Sequence, residues 1–175
     1  CSLHQFTACS CIYKLRELCE DLHNLVCTLT AGQVYRLGAG LQALGVKKGD
    51  NMALLSEGRN MWIIGELAMF YAGAVNVPLS IKLGETNDLV FRVKHSDSKY
   101  VITSKFQLAK IRAVLSECPM VEKVIIFDRI DDMRENEIYI GDVIEMGDKF
   151  LAEHEEMFVQ RYRSIVPDDY ANISY

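Results

Sequence analysis

The residues with the clearest potential for chemistry are Gly38, Gly40 and Ala43, which match the spacing G-x-G-x-x-(G/A). In dinucleotide-binding proteins this spacing follows a strand and places a pyrophosphate at the amino end of the next helix. Here the surrounding apolar residues recur at steps of three and four, as in a helix: Val34, Leu37, Leu41 and Leu44. We therefore predict that the glycines lie within a helix and allow a neighbouring element to approach closely. Glu57 follows the glycines at about the spacing of the acidic residue that binds the ribose in such proteins. Spacing alone does not assign it to a cofactor.

Metal-binding patterns in the chain are incomplete. The segment HEEMF, residues 154–158, resembles the start of a zinc-binding helix, but Phe158 stands where a second His ligand is required. Five of the six cysteines lie in the first 27 residues, spaced as C-x-C and then at steps of eight rather than as C-x-x-C pairs. With no secretory signal in the chain, we expect reduced thiols, some of them buried as small apolar side chains. We predict no metal site.

The remaining ionisable residues suggest no catalytic group. The pairs Asp131–Asp132 and Asp168–Asp169 are adjacent in sequence and lie in polar segments, so we expect them to be solvated or to cap helices. His4, His23 and His95 have no Ser, Cys or acidic partner at an informative spacing. The chain also lacks a nucleophile elbow and a phosphate-binding G-x-x-x-x-G-K-(S/T) loop. The residue types alone thus assign no catalytic residue.

Length and composition limit the classes of function. The 175 residues suit one domain or a large piece of one, and half of them are hydrophobic. A net charge of -5 argues against sequence-independent nucleic-acid binding. No apolar run reaches the roughly 20 residues that a transmembrane helix needs. The chain begins with Cys1 rather than Met, so we expect a fragment or a processed form, with a cytoplasmic location.

Helices and strands that would position these residues alternate regularly along the chain. We predict helices over 11–29, 33–44, 60–72, 85–95, 106–116 and 140–163, the last interrupted at Gly147. Strands are predicted over 51–56, 74–79, 100–104 and 123–128, with a further strand beginning at 171–175. Gly45 and Gly73 are expected to end helices as left-handed caps. This alternation predicts an α/β fold with a doubly wound, mainly parallel sheet flanked by helices, after a helical amino-terminal segment.

One long stretch carries a resemblance to a known family. GAGLQALGVKKGDNMALLSEGRNMWIIGELAMFYAGAVNVPL, residues 38–79, resembles the adenylate-forming (AMP-binding) enzymes and, among them, the long-chain fatty acid–CoA ligases. The shared motifs are a helix, a G-V-x-x-G-D turn, a strand, an S-E-N-R-P-x-W helix entry and a G-A-V-x-V-P-L strand. HSDSKYVITS and VEKVIIFD are similar to the next two strands, and VPDDYANISY to the lead-in to the phosphate loop. The resemblance identifies residues 31–175 as a partial N-terminal domain of such an enzyme, preceded by a divergent segment, 1–30.

The resemblance implies a two-step ligation. ATP and a fatty acid form an acyl-adenylate, and the CoA sulfur then displaces AMP, with Mg²⁺ sharing the phosphate charge. It implies a fatty acid substrate and allows peripheral membrane association of the intact enzyme. In the family the phosphate loop would begin directly after Tyr175, and the catalytic lysine lies further downstream. We therefore expect this chain alone to be inactive and to bind none of the cofactors tightly.

One candidate binding residue follows from the resemblance. In acetate-activating relatives, the loop after the V-P-L-like strand approaches the CoA nucleotide, and here that loop is SIKLGE. Lys82 is thus a candidate to face a CoA phosphate. The relatives are glycine-rich at this point and this chain is not, so a plain solvated loop is the alternative. The chain also departs from the family at Gly58, Asn60 and Met61, which replace the usual Asn, Pro and Glu.

A second hypothesis assigns the chain no catalysis. It would then be a truncated α/β module that binds a partner through the unfinished edge of its sheet. A sheet that ends at an incomplete strand exposes backbone groups and apolar surface. Under either hypothesis we expect the isolated chain to be marginally stable and prone to associate.

Overall fold

A computed structural model describes residues 30–83 and 87–175 of the chain. The predicted helix over 11–29 lies outside these residues. Val34–Tyr175 form one compact unit, in which helices and strands alternate. The elements are α1 (30–43), β1 (Asn51–Leu55), α2 (Asn60–Ala72), β2 (Val75–Pro78), α3 (Asn87–His95), β3 (Tyr100–Thr103), α4 (Leu108–Val114), β4 (Lys123–Ile126), β5 (Glu137–Tyr139) and α5 (Ile140–Arg163).

The five strands form one sheet in the order β2-β1-β3-β4-β5, and all four neighbouring pairs are parallel. Ala53 in the first strand lies opposite Val77 on one side and Val101 on the other. This arrangement confirms the predicted doubly wound parallel sheet. The strand order reverses direction between β1 and β3, and in such sheets the crevice beyond the carboxyl ends at that point is the usual ligand site.

Both faces of the sheet are covered, which explains why its strands are apolar at successive positions. Met52 and Leu54 point into a core formed with α1, α2 and α5, while Ala53 and Leu55 point into a second core with α3 and α4. Strands buried on both faces read as continuous apolar runs. The carboxyl ends of the strands are therefore held by two packed layers, and the loops that follow them start from fixed positions.

Close helix crossings explain the small residues of α1 and α5. A Cβ added at Gly40 would overlap the carbonyl oxygen of Val143, and one at Gly147 would overlap the carbonyl oxygen of Arg36. The fingerprint residues thus serve packing, as the helical spacing predicted. The predicted interruption at Gly147 is wrong, because Gly147 allows α1 and α5 to touch without ending the helix. The backbone instead departs from helical geometry at His154, with φ −138°.

Several element ends differ from the predictions by one or two residues, and the structure contains one strand, β5, that is not predicted. Helix α2 has the predicted bounds and ends at Gly73, whose φ is 80°. A single 3-10 turn, Leu115–Glu117, replaces the last turn predicted for α4. Strand β5 lies in a stretch for which no element is predicted, because three residues that include a buried Glu137 show no apolar pattern.

The carboxyl-terminal residues 164–175, which we call the strap, return to the outer edge of β2. Asn76 donates its backbone N–H to Ala171 and accepts one from Ile173, forming a parallel bridge at Asn172. The strand predicted over 171–175 is therefore reduced to a single bridge. Tyr175 lies against α3, where its hydroxyl is 2.7 Å from Nδ1 of His95. Among the described residues, no helix is long and apolar enough to cross a bilayer.

Candidate functional site

The polar groups that follow β1 and β3 form a network in the crevice where the strand order reverses. Glu57 accepts hydrogen bonds from Ser104 Oγ at 2.7 Å and from Gln107 Nε2 at 2.5 Å. Partial burial works to raise the pKa of Glu57, but these donors outweigh it and hold the pKa below its ordinary value. Glu57 is thus a positioned carboxylate, suited to accept hydrogen bonds rather than to donate a proton at neutral pH.

A second network lies beside the first, where β4 ends. Arg59 Nη1 and Nη2 both lie 3.0 Å from Oδ1 of Asp128, and the backbone N–H of Lys105 donates to Oδ2 at 3.0 Å. Burial would raise the pKa of Asp128, but the hydrogen bonds from Arg59 and Lys105 lower it overall. The guanidinium also lies over the ring of Phe127, 5.5 Å from its centroid. Arg59 and Asp128 therefore neutralise each other and tie the helix entry to the end of β4.

An open cleft of about 510 Å³ lies between α4 and the loop before β5. Its wall carries three cationic side chains, Lys105, Arg112 and Arg134, and one carboxylate, Asp132. The guanidinium of Arg112 is already paired within the protein. It donates to Glu137 at 2.7 Å through both Nε and Nη2 and to Asp132 at 2.6 Å. Lys105 is exposed, with its ammonium 5.2 Å from the Phe106 ring centroid. A cleft with this charge can hold an anionic group such as a phosphate or a carboxylate.

Lys82 lies on the turn that follows the carboxyl end of β2, and its side chain is exposed. Its backbone N–H lies 3.3 Å from the hydroxyl of Ser80, and the next residue closes the turn onto the Ser80 carbonyl. Lys110 of α4 donates its ammonium to the carbonyl of Ile81 at 2.7 Å. Two ammonium groups thus belong to this corner of the sheet, and Lys82 is the one whose side chain extends into solvent.

The other residues singled out from the sequence do not converge on a site. Within the described ranges, no group of three or more His, Cys, Asp or Glu side chains could hold a metal ion. His154 marks the kink of α5 and is exposed. Asp132 pairs with Arg112, and Asp169 with Lys48 at 2.6 Å while it also accepts the backbone N–H of Val166. The two carboxylate pairs therefore contribute structural contacts, with one member of each pair engaged.

Sequence reasoning missed the contacts among Glu57, Ser104 and Gln107. These residues are 47 and 50 positions apart along the chain, and they meet because β1 and β3 are parallel neighbours. A usable signal was present: each short apolar strand is followed at once by polar residues. His95, which had no partner predicted, also gained one in Tyr175.

Comparison with known proteins identifies the fold's family. Residues 28–175 match the AMP-binding enzyme family. The chain belongs to this family. Fatty acyl-CoA synthetase A of Dictyostelium discoideum is 25% identical over 128 residues, which cover 68% of this chain and 19% of that protein. Human mitochondrial acyl-coenzyme A synthetase ACSM5 is 31% identical over 87 residues, covering 49% of this chain and 15% of that protein.

Solved structures of ligases share this architecture. Coronafacic acid ligase from Pectobacterium brasiliense matches with a TM-score of 0.68 at 26% identity, over 83% of this chain and 27% of that one. The anthranilate CoA ligase AuaEII, in complex with anthranoyl-AMP, matches with a TM-score of 0.60 at 19% identity, over 66% of this chain and 22% of that one. The second match shows the fold alone. This chain therefore spans less than a third of the length of each relative. The predicted AMP-binding family and the predicted α/β fold class are confirmed.

The residues present fit some of the family's cofactors and not others. AMP-binding acyl-CoA synthetases generally use ATP, Mg²⁺ and CoA. The described residues offer no cluster of metal ligands, and the sequence contains no phosphate-binding loop, so neither ATP nor Mg²⁺ is assigned to them. CoA carries phosphates, and the exposed ammonium groups of Lys82 and Lys105 fit such groups chemically. Lys82 and Lys105 are therefore two candidates for such a contact among the described residues.

Proposed function

We propose that this chain is part of an ATP-dependent long-chain fatty acid–CoA ligase and forms one sheet layer of its N-terminal domain. The observation that carries the proposal is the family match across residues 28–175. The resemblance of the Dictyostelium fatty acyl-CoA synthetase supports the choice of a fatty acid as substrate. In such a ligase the adenylate supplies the leaving group that a bare carboxylate lacks. Residues 31–175 would be the scaffold and 1–30 a divergent preceding segment, in a cytoplasmic enzyme.

The direct test of the enzyme is whether the reading frame continues beyond Tyr175 into a Thr/Ser/Gly-rich phosphate loop. If it does, the longer product should catalyse ATP–pyrophosphate exchange that depends on added fatty acid, with a higher rate for long-chain than for short-chain acids. A stop at this point, or exchange driven equally well by acetate, would contradict the long-chain ligase. The 175-residue chain by itself should show no exchange above a blank without protein.

Within that enzyme we assign Lys82 to a phosphate of CoA. Alanine at Lys82 should raise the KM for CoA about three- to tenfold and leave the KM for ATP unchanged, because one exposed charge-assisted contact is lost. Lys149→Ala removes a similarly exposed ammonium from α5 and is the matched control. Lys105→Ala tests the cleft beside α4. If only this third variant raised the KM for CoA, the phosphate would belong to the cleft and the assignment of Lys82 would fail.

A further inference from the structure

The cleft between α4 and the loop before β5 carries two cationic side chains that have no ion-pair partner in the described part of the chain. Lys105 lines the cleft from just before α4, and Arg134 lines it from the loop. Neither side chain belongs to any of the ion pairs that the structure shows within residues 30–83 and 87–175. The volume of the cleft, about 510 Å³, lies within the range of small-molecule sites. The cleft therefore offers both positive charge and room to a small anion.

A third cationic side chain, Arg112, fixes the shape of the cleft. It is the most buried of the three, with 15% of its side chain exposed. It donates to the covered carboxylate of Glu137 and, at 2.8 Å, to the backbone carbonyl of Asp132. Glu137 in turn accepts the backbone N–H of Arg134 at 2.9 Å. Because these contacts join the loop to α4 within the protein itself, the cleft is formed before any ligand enters it.

The carboxylate of Asp132 occupies a position in this cleft where negative charge is favoured. Its pKa lies below the ordinary value, first because of the hydrogen bond from Arg112 and also because of the charges of Arg112 and Arg134. The Asp132 side chain is nevertheless 74% exposed, and exposed ion pairs add little stability because water competes for both partners. The loop stays attached through the Asp132 carbonyl when the carboxylate turns away. Another anion can therefore replace this carboxylate while the cleft keeps its shape.

The arrangement of the donors favours a phosphate over a carboxylate. The Nε and Nη2 groups of Arg112 form the planar pair of donors that suits a carboxylate, and Glu137 already accepts from both. The donors that remain come from separate places: the Lys105 ammonium before α4, Nη1 of Arg112 within it, and the Arg134 guanidinium in the loop. The tetrahedral oxygens of a phosphate can accept from several directions at once, whereas the two oxygens of a carboxylate lie in one plane.

We propose that this cleft binds free phosphate or pyrophosphate, held by Lys105, Arg112 and Arg134, and that the Asp132 carboxylate moves aside when the anion enters. The site is separate from the CoA contact assigned to Lys82. The residues of the cleft follow β3 and β4 in the chain, whereas Lys82 follows β2, which β1 separates from β3. Binding here requires no ligase activity, so its failure would leave the proposed function untouched.

Titration of the 175-residue chain with sodium pyrophosphate, followed by proton–nitrogen NMR spectra, tests the proposal. Sodium chloride keeps the ionic strength constant, and the buffer is neutral and reducing. The backbone signals of Lys105, Ala109 and Arg134 should shift and saturate with a dissociation constant of about 0.1–5 mM, while the signal of Lys82 stays in place. Shifts that spread over the exposed lysines without saturating would overturn the proposal. Cleft signals that move with CoA but not with pyrophosphate would overturn it as well, because the cleft would then belong to the CoA site.

Two arginine variants separate a built site from general attraction between charges. Arg134→Gln should weaken pyrophosphate binding about three- to tenfold, because one charge-assisted contact is lost. Arg129→Gln removes the same charge from a 76% exposed side chain that does not line the cleft, and it should bind like wild type. Equal weakening in both variants would overturn the proposal. Circular dichroism verifies that each variant is folded.

Two aspartate variants test the exchange of Asp132 for the anion. Asp132→Asn should tighten pyrophosphate binding about threefold or more, because the competing carboxylate is gone. Asp131→Asn removes the same charge from the adjacent exposed residue, which does not line the cleft, and it should change the affinity much less. If both variants changed the affinity equally, net charge would explain the effect and the role of Asp132 would be overturned. If Asp132→Asn fails to fold, the arginine pair still decides whether the site exists.

Discussion

Gly147 shows how a single missing side chain fixes a helix crossing. A Cβ at this position would overlap the carbonyl oxygen of Arg36 and approach the backbone nitrogen of Gly40. Backbone atoms of a packed helix cannot move aside as the end of a flexible side chain can. The crossing of α1 and α5 therefore depends on glycine, even though glycine in a helix costs about 1 kcal/mol relative to alanine.

We predict opposite outcomes for two glycine-to-alanine substitutions. Gly147→Ala should lower the free energy of unfolding by about 1–3 kcal/mol, because the added methyl group forces α5 away from α1. Gly65→Ala is the control within α2: its Cβ would meet the Phe127 ring at 3.5 Å, an ordinary contact. That variant should be as stable as wild type or more stable. Urea unfolding followed by circular dichroism measures both, and equal midpoints would contradict the packing argument.

The ion pair of Arg112 with Glu137 is the most buried one among the described residues, with the Glu137 side chain fully covered. Burial alone would raise the pKa of Glu137, but hydrogen bonds from Arg112 and from the Arg134 backbone outweigh it and lower the pKa. A carboxyl whose pKa is lower in the folded state stabilises the fold above its unfolded pKa of about 4.5. That contribution is lost as the pH falls through the folded-state value.

We therefore predict that Glu137→Gln reduces the acid sensitivity of the protein. At pH 7 the variant should be less stable than wild type, because Arg112 loses its charged partner. The difference between the two proteins should shrink as the pH falls below about 4.5 and through the lower folded-state pKa of Glu137, where the wild-type side chain also becomes neutral. Glu145→Gln changes an exposed carboxylate on α5. The stability of this variant should change with pH as that of wild type does. A constant difference across this pH range would argue against the assignment.

At the scale of elements, apolar spacing predicted what depends on local sequence. Helix α2 and strand β1 follow from the apolar pattern and, for α2, from the cap at Gly73. Spacing could not reveal β5, because its pairing with β4 decides its conformation. It also misread Gly147, since a glycine that ends a helix and one that allows a helix crossing look the same in sequence. The position of Lys82 after β2 was predictable, whereas the partners of Glu57 required the strand order.

The strap has little backbone pairing, so side-chain contacts contribute much of what fixes its position. Lys48 donates to the Ser164 carbonyl at 2.7 Å and pairs with Asp169, whose pKa this contact lowers. We predict that Asp169→Asn makes the amide of Ile173 exchange about two- to fivefold faster with solvent deuterium, because the start of the strap is released. Asp168→Asn, a change at the exposed neighbouring carboxylate, should leave that exchange rate unchanged. Equal rates in both variants would mean that the bridge to Asn76 holds the strap unaided.

At the scale of the whole molecule, net charge and exposed apolar side chains act in opposite directions on self-association. The charge of -5 keeps copies apart, and it vanishes near the isoelectric point of about 5.4. We predict that self-association strengthens when the pH falls from 8 to 6, and that added salt at pH 8 strengthens it as well by screening the repulsion. Sedimentation at the two pH values and two salt concentrations measures this. Association that weakens with salt would indicate an interface built on opposite charges.

The bridge between Asn76 and Asn172 has a consequence for synthesis on the ribosome. The edge of β2 is made roughly 100 residues before the segment that pairs with it, and ribosomes add about 5–20 residues each second. The nascent chain therefore carries an open strand edge for about 5–20 seconds. Such an edge can pair with a neighbouring nascent chain, although Pro78 removes one of its donors. Crowded polysomes, more than the finished protein in dilute solution, are where this fold is most exposed to mispairing.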